Sequence, residues 1–453
     1  MPHVELAVIG AGSGNTVPGR AWKGRSVALF DDGEWFGGTC LNHGCIPTKM
    51  FVRVADIVNE ARHPGLGLDG TLPRPDWQAV QERIFGRTNT ISLSGETWRD
   101  QTTELVRETS ALTDDRTIVT ASGIEYTADR VVLAAGSRVR QLAFEHDPRE
   151  ILTSDSVMRI DRLPESMVIV GSGDVAAEFA HVFTEFGTEV TVLARGEGML
   201  RSHDELVGER FSALAGSRYR LLTQAEPVSI VREGTLLRTT LSDGRTLESE
   251  VVLNAIGRVP NTDRIGAGRF DTTASGHVRT DDRMRVLRGG QPVEGVYALG
   301  DITSSHGLKH VANHQARVVE AQLAGRDERD TLAPVAGAVF AGPEVAVFGL
   351  RSQDAPEDAV VVTQEYSSTA YGWALEDAAS FVRLVVGADG ALLGAHILGP
   401  HASMLLQPLV QAASFGQTVH GLARGQYWPH PALTEVVENA LLQAEAALAE
   451  RDG

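Results

Sequence analysis

Two segments of this 453-residue chain run an apolar strand straight into a glycine-rich turn, and few folds accommodate that twice. In the first, ELAVI leads into GAGSGN, Gly10 to Asn15. In the second, MVIV leads into GSGDVA, where Gly171, Gly173 and Ala176 form G-x-G-x-x-A ahead of a helix with an apolar stripe. A turn of this kind lets the backbone approach a pyrophosphate, whose charge is met by the N-terminus of the next helix. Two such units imply two different dinucleotides and an α/β fold with two Rossmann-like domains. Gly10, Gly12 and Gly14 are the candidate contacts of the first unit. That unit is the less regular one: Asn15 replaces the third glycine, and Pro18 with Gly19 predicts a short or irregular helix.

The strand after each turn says which dinucleotide the unit selects. SVALF ends at Asp31, where a carboxylate takes the adenosine ribose hydroxyls. EVTVL ends near Arg195, with Arg201 six residues later, and arginines there suit a 2′-phosphate. NADPH is therefore favoured over NADH in the second unit. RVVLAAGS, with Gly136, closes the first segment, and VVLNAIGRVPN, with Gly257, reads as the crossover back to it. GVYALGD then gives Gly300 and Asp301, the latter in reach of a flavin ribitol chain. The chain divides into 1–143 (flavin part), 144–257 (inserted nucleotide domain), 258–335 (flavin remainder) and 336–453, an antiparallel sheet with helices.

A chain of this length needs more than one core. Its net charge of −18 disfavours nucleic acid or an anionic membrane as the main partner. No apolar run reaches the roughly 18–20 residues of a membrane span, and MPHVELAVIGAG lacks the marks of a signal peptide, so a cytoplasmic enzyme is expected.

The stretch GGTCLNHGCIPTK holds both cysteines, Cys40 and Cys45. A structural staple closing so short a loop removes little chain entropy. A zinc site needs about four ligands, and no third cysteine exists. No metal is expected. A redox pair remains, beside a helix N-terminus whose partial positive charge favours thiolate.

GGTCLNHGCIPTK, IGRVPN, YALGDIT and HPALTE resemble, in order and spacing, the flavin-dependent pyridine nucleotide–disulfide oxidoreductases, which include glutathione reductase and dihydrolipoamide dehydrogenase. The resemblance runs nearly end to end. It implies FAD in the first unit, NADPH in the second, and a C-terminal α+β dimerisation domain in a homodimer. It further implies that Gly38 and Thr39 lie beside the flavin, that Cys45 is the thiolate facing the ring, and that Cys40 attacks a disulfide substrate. Lys49 and Glu178 would pair beside the flavin. His430 and Glu435 would act as base and orienter in the other subunit's site. IPTKMF, LKHVANHQARVV, AYGWALED and HPALTEVVENALL resemble one branch of the family, with a low-molecular-weight thiol disulfide as substrate. Two positions depart from the family's pattern: Asp174 stands where an aromatic residue is usual, and His43 where valine is common.

Overall fold

The computed structural model describes residues 1–62, 73–144 and 146–452. Its first sheet has eight strands. His3–Ile9 pairs in parallel with Val27–Phe30 on one side and Glu125–Leu133 on the other. Gln291–Ala298 adds beyond Glu125–Leu133, also in parallel, so a sheet begun by the N-terminal segment is completed by a strand from far along the chain. Between these parts lies a five-stranded parallel sheet centred on Ser166–Val170, flanked by Glu189–Leu193 and Val251–Asn254. A three-stranded antiparallel meander, Pro227–Glu233, Leu236–Leu241 and Thr246–Ser249, accompanies it. The strands at both sheet centres are apolar on both faces because helices and loops cover each side. Ser137–Val139 pairs antiparallel with Arg258–Pro260, joining the way into the inserted unit to the way out. The C-terminal part is a five-stranded antiparallel sheet, in strand order Ala336–Val339, Val345–Gly349, Leu392–Leu398, Phe381–Val386, Val360–Glu365.

Nine α-helices occur among the described residues: α1 Gly38–Asn42, α2 Cys45–Ala61, α3 Trp77–Thr102, α4 Asp174–Phe186, α5 Glu205–Arg218, α6 Lys309–Leu323, α7 Ala370–Ala374, α8 Ala402–Ser414 and α9 Thr434–Asp452. The segment after the first glycine-rich turn forms no α-helix. It makes two three-residue 3-10 turns, Gly14–Thr16 and Arg20–Trp22, as Pro18 and Gly19 lead one to expect.

Helices α2, α3 and α4 share one aromatic cluster. Phe51 stacks on Trp77 at 5.1 Å between ring centroids, and Trp77 meets Phe183 and Phe186 at 5.6 and 5.7 Å. Each such side chain contributes about 1.5–3 kcal/mol on burial. The cluster thereby fixes the helix that carries Cys45 against the helix that opens the second glycine-rich turn.

Candidate active site

The two glycine-rich turns are built alike. Gly10 has φ +109°, and a Cβ there would lie 2.2 Å from the Ala134 carbonyl oxygen; Gly171 has φ +125°, with the Ala255 oxygen at 2.3 Å. Only glycine fits either place. In each unit the turn also bonds its neighbouring strand: Gly10 N donates to Phe30 O at 2.8 Å and Gly171 N to Leu193 O at 3.0 Å. Gly14 has another task, since a Cβ there would stand 2.6 Å from that of Ala134; it lets the turn sit close on the sheet.

The cysteine loop folds onto the first turn. Gly38, at φ +76°, approaches Gly12 so closely that a Cβ would lie 2.6 Å from the Gly12 Cα. A break at His43 and Gly44 then separates the cysteines onto two helices, Cys40 inside α1 and Cys45 at the first position of α2. This differs from a single distorted helical turn: Gly44, at φ −135° and ψ −123°, leaves helical geometry and lets α2 start afresh. His43 anchors the break through Nδ1 to the Asp155 carbonyl at 2.9 Å.

That break gives the sulfurs unequal surroundings. The Cys45 pKa falls to about 6, because Cys40 donates a hydrogen bond to it and the Lys49 cation stands one helical turn on, against the opposing effect of burial. Cys40 is pushed upward by the same hydrogen bond, by burial and by the charge of the Cys45 thiolate. The reduced pair is thus thiolate at Cys45 and thiol at Cys40. A base must take the Cys40 proton before that sulfur can attack.

Lys49 Nζ reaches both carboxylate oxygens of Glu178 at 2.6 and 2.7 Å, tying α2 to α4. Phe340 N donates to Glu178 Oε1 at 2.9 Å, and burial holds the Glu178 carboxyl above its ordinary range. His430 Nδ1 lies 2.7 Å from Glu435 Oε1. Glu435, whose pKa is lowered by that bond, can only accept, so Nδ1 carries the proton and Nε2 is left as the basic nitrogen. The His430 side chain is 71% exposed, and no hydrogen bond or ion pair links it to either cysteine among the described residues.

Asp31 Oδ1 accepts from Ala11 N at 3.1 Å inside the first turn, while Oδ2 pairs with Arg107, which also holds Glu96 at 2.8 Å. Burial raises its pKa. Asp301 Oδ2 accepts from Ser137 Oγ at 2.8 Å, whose oxygen in turn accepts from Arg258 Nε at 2.8 Å; Gly300 N donates to Gln315 Oε1 at 2.8 Å. Arg107, Ser137, Arg258 and Gln315 escape sequence reasoning because their partners lie far away in the chain. At the second turn, Leu200 N donates to Ser172 O at 2.8 Å, which folds the segment carrying Arg195 and Arg201 back over it. Both arginines are exposed, and neither has an ion-pair partner among the described residues. Asp174 opens α4 and bonds His203 Nε2 at 2.8 Å; at 55% exposure its side chain remains solvated.

Two nucleotide turns with a cysteine pair against the first define a class. Residues 4–317 match the pyridine nucleotide-disulphide oxidoreductase family and residues 335–441 its dimerisation domain. The chain belongs to this family. Mycothione reductase of Mycobacterium tuberculosis H37Rv is 43% identical over 463 residues, spanning 98% of this chain and 99% of that protein. Dihydrolipoyl dehydrogenase 2 of Haloarcula marismortui is 30% identical, spanning 97% and 96%. Among solved structures, LpdA of M. tuberculosis has a TM-score of 0.81 at 26% identity, covering 97% of this chain and 99% of that one. The flavoprotein disulfide reductase RclA of Escherichia coli shares the fold, with a TM-score of 0.83 at 20% identity over 98% and 100%. The branch that IPTKMF and HPALTEVVENALL resemble is that of mycothione reductase.

FAD and a pyridine nucleotide are the cofactors of this family. The residues fit both. Gly173 in the second turn, and Gly136 and Gly257 beside the strand pair that joins the two units, have open space where a Cβ would be, which leaves room for ligand against the backbone. Among the described residues no cluster could hold a metal ion, and no helix is long and apolar enough to cross a membrane.

Proposed function

We propose that the protein is an NADPH-dependent reductase of mycothione, acting in the cytoplasm as a dimer with composite sites. The observation that carries the chemistry is the placement of the cysteine pair: the loop closes on the first glycine-rich turn at Gly38, and Cys45 opens α2 one turn before Lys49, which favours thiolate at Cys45 over Cys40. Arg195 and Arg201, exposed and without an ion-pair partner among the described residues, support the 2′-phosphate. The 43% identity to a mycothione reductase supports the substrate.

When bound, FAD supplies the path by which two electrons from NADPH reach the cysteine pair. The chain's own residues do the rest. Gly10 lets the first turn close on the sheet, and Gly12 with Gly38 lets the cysteine loop close on that turn, so a cofactor held there would lie beside the sulfurs, with Asp31 and Asp301 as polar anchors. Lys49 and Glu178 hold a balanced charge pair beside it. His430 Nε2 of one subunit removes the Cys40 proton of the other. Cys40 then attacks one sulfur of the substrate disulfide, forming a mixed disulfide and releasing a thiolate, which the His430 imidazolium protonates. The Cys45 thiolate attacks the Cys40 sulfur, the second substrate half leaves as a thiolate that takes its proton from water, and the pair is again a disulfide. Glu435 keeps the imidazole in the needed tautomer. A panel of mycothione, glutathione disulfide and lipoamide at matched NADPH tests this. Mycothione is expected to turn over fastest; faster glutathione disulfide rejects the substrate assignment and leaves the chemistry standing.

A further inference from the structure

The first glycine-rich turn lacks the element that ordinarily meets a pyrophosphate. A helix N-terminus offers aligned N–H groups and about half a positive charge. After GAGSGN the chain makes only two three-residue 3-10 turns, whereas the second turn opens the 13-residue α4. Beneath the first turn lies Arg99 of α3, 4% exposed. Its guanidinium donates to Asn15 Oδ1, to the Asn15 carbonyl and to the Pro18 carbonyl. All three acceptors are neutral. No carboxylate among the described residues pairs with it, and burial pulls its pKa down to about 10. A second cation reaches the same turn from α6: Lys309 Nζ donates to Ser13 Oγ at 2.9 Å, and it too has no ion-pair partner among the described residues.

A buried cation without a counter-ion is strongly unfavourable, and the three neutral oxygens with the Trp98 ring, whose centroid is 4.3 Å from the guanidinium carbon, offset only part of that cost. We propose that Arg99, assisted by Lys309, supplies the positive charge that a helix would otherwise give, and that its counter-ion is the diphosphate of the dinucleotide held at Gly10 to Asn15. Arg99 is a positioning residue here, acting through the turn. Asn15 then has a purpose at the third-glycine position, since its side-chain oxygen fixes Arg99 and a glycine has none to offer. The proposal rests on the first turn being the FAD site.

FAD release from the holoenzyme, followed by flavin fluorescence after dilution, tests it. Arg99→Met is expected to release FAD roughly ten- to thirtyfold faster than wild type, and Arg99→Lys to recover much of that loss. Asn15→Asp gives Arg99 an internal counter-ion at almost unchanged shape, and is expected to speed release by roughly tenfold. Lys309→Gln removes the second cation without touching the carbonyls that Arg99 holds and is expected to speed release about threefold, so unchanged release from it contradicts the charge reading even if Arg99→Met does not fold. Wild-type release from Arg99→Met or from Asn15→Asp, or a lysine variant no better than methionine, overturns the charge assignment. Weakened NADPH binding in equilibrium dialysis with FAD retention unchanged shows instead that the first turn is not the FAD site, and the proposal falls with that assignment.

Discussion

Cys45 and Lys49 stand one turn apart at the start of α2, so helix dipole and cation act on the same sulfur. Alkylation of Cys45 by iodoacetamide in a Cys40→Ser holoenzyme, followed against pH, tests this. Thiolate is the reactive form, so the rate rises with pH through the Cys45 pKa of that variant, in which the Lys49 cation and the helix N-terminus still lower it although the Cys40 hydrogen bond is gone. Lys49→Met moves that midpoint upward; an unchanged midpoint means that the lysine does not bias the thiolate. In the proposed mechanism Cys40 gives its proton to His430, and His430→Gln is expected to lower disulfide turnover by roughly a hundredfold or more. Reduction of the enzyme by NADPH stays at its wild-type rate in stopped flow, and equal slowing of both half-reactions would remove His430 from the disulfide step. At the other nucleotide, Arg195→Ala with Arg201→Ala is expected to raise the NADPH Kd at least roughly tenfold with little change for NADH. Equal losses would mean that the arginines do not read the phosphate.

Helices α2 and α4 are joined by more than the Lys49–Glu178 pair. His181, buried on α4, lies 2.9 Å from Asp56 on α2 through Nε2 and accepts from Arg218 on α5 through Nδ1 at 2.7 Å. Arg218 also pairs with the buried Glu185 at 2.6 Å. An acceptor role at Nδ1 requires a neutral ring, and burial lowers the His181 pKa below its ordinary 6.5. The unfolded chain binds a proton there that the folded chain refuses, so stability is lost as pH falls below about 6.5. The thermal midpoint of the holoenzyme is expected to drop across that range, and His181→Gln to flatten the drop; an unaltered slope would place the titration elsewhere. None of this network is legible in the sequence, where His181 reads as one polar residue in an apolar stripe. The partners lie on three helices, and only packing brings them together.

The chain as a whole was most legible where chemistry is written in contiguous residues. The two turns, the cysteine loop and HPALTE each carry their own local geometry, and the interrupted sheet follows from the order of the strands. Lys49–Glu178 came from resemblance, and Arg99, Arg107 and Arg258 were missed, because their partners are distant in sequence. His430 is exposed and makes no bond to the part-exposed cysteine loop among the described residues, and the proposed composite site would join the two across the dimer. Mixing inactive Cys40→Ser and His430→Gln dimers under subunit-exchange conditions is expected to restore activity in the hybrid, which retains one intact site. No recovery, with hybrid formation verified by mass, would place both groups in one subunit. The most direct measurement is alkylation of the oxidised holoenzyme before and after anaerobic NADPH, read by mass spectrometry. A redox pair predicts no label on Cys40 or Cys45 beforehand and label on at least one of them afterwards; the same labelling with and without NADPH would show that these sulfurs carry no electrons.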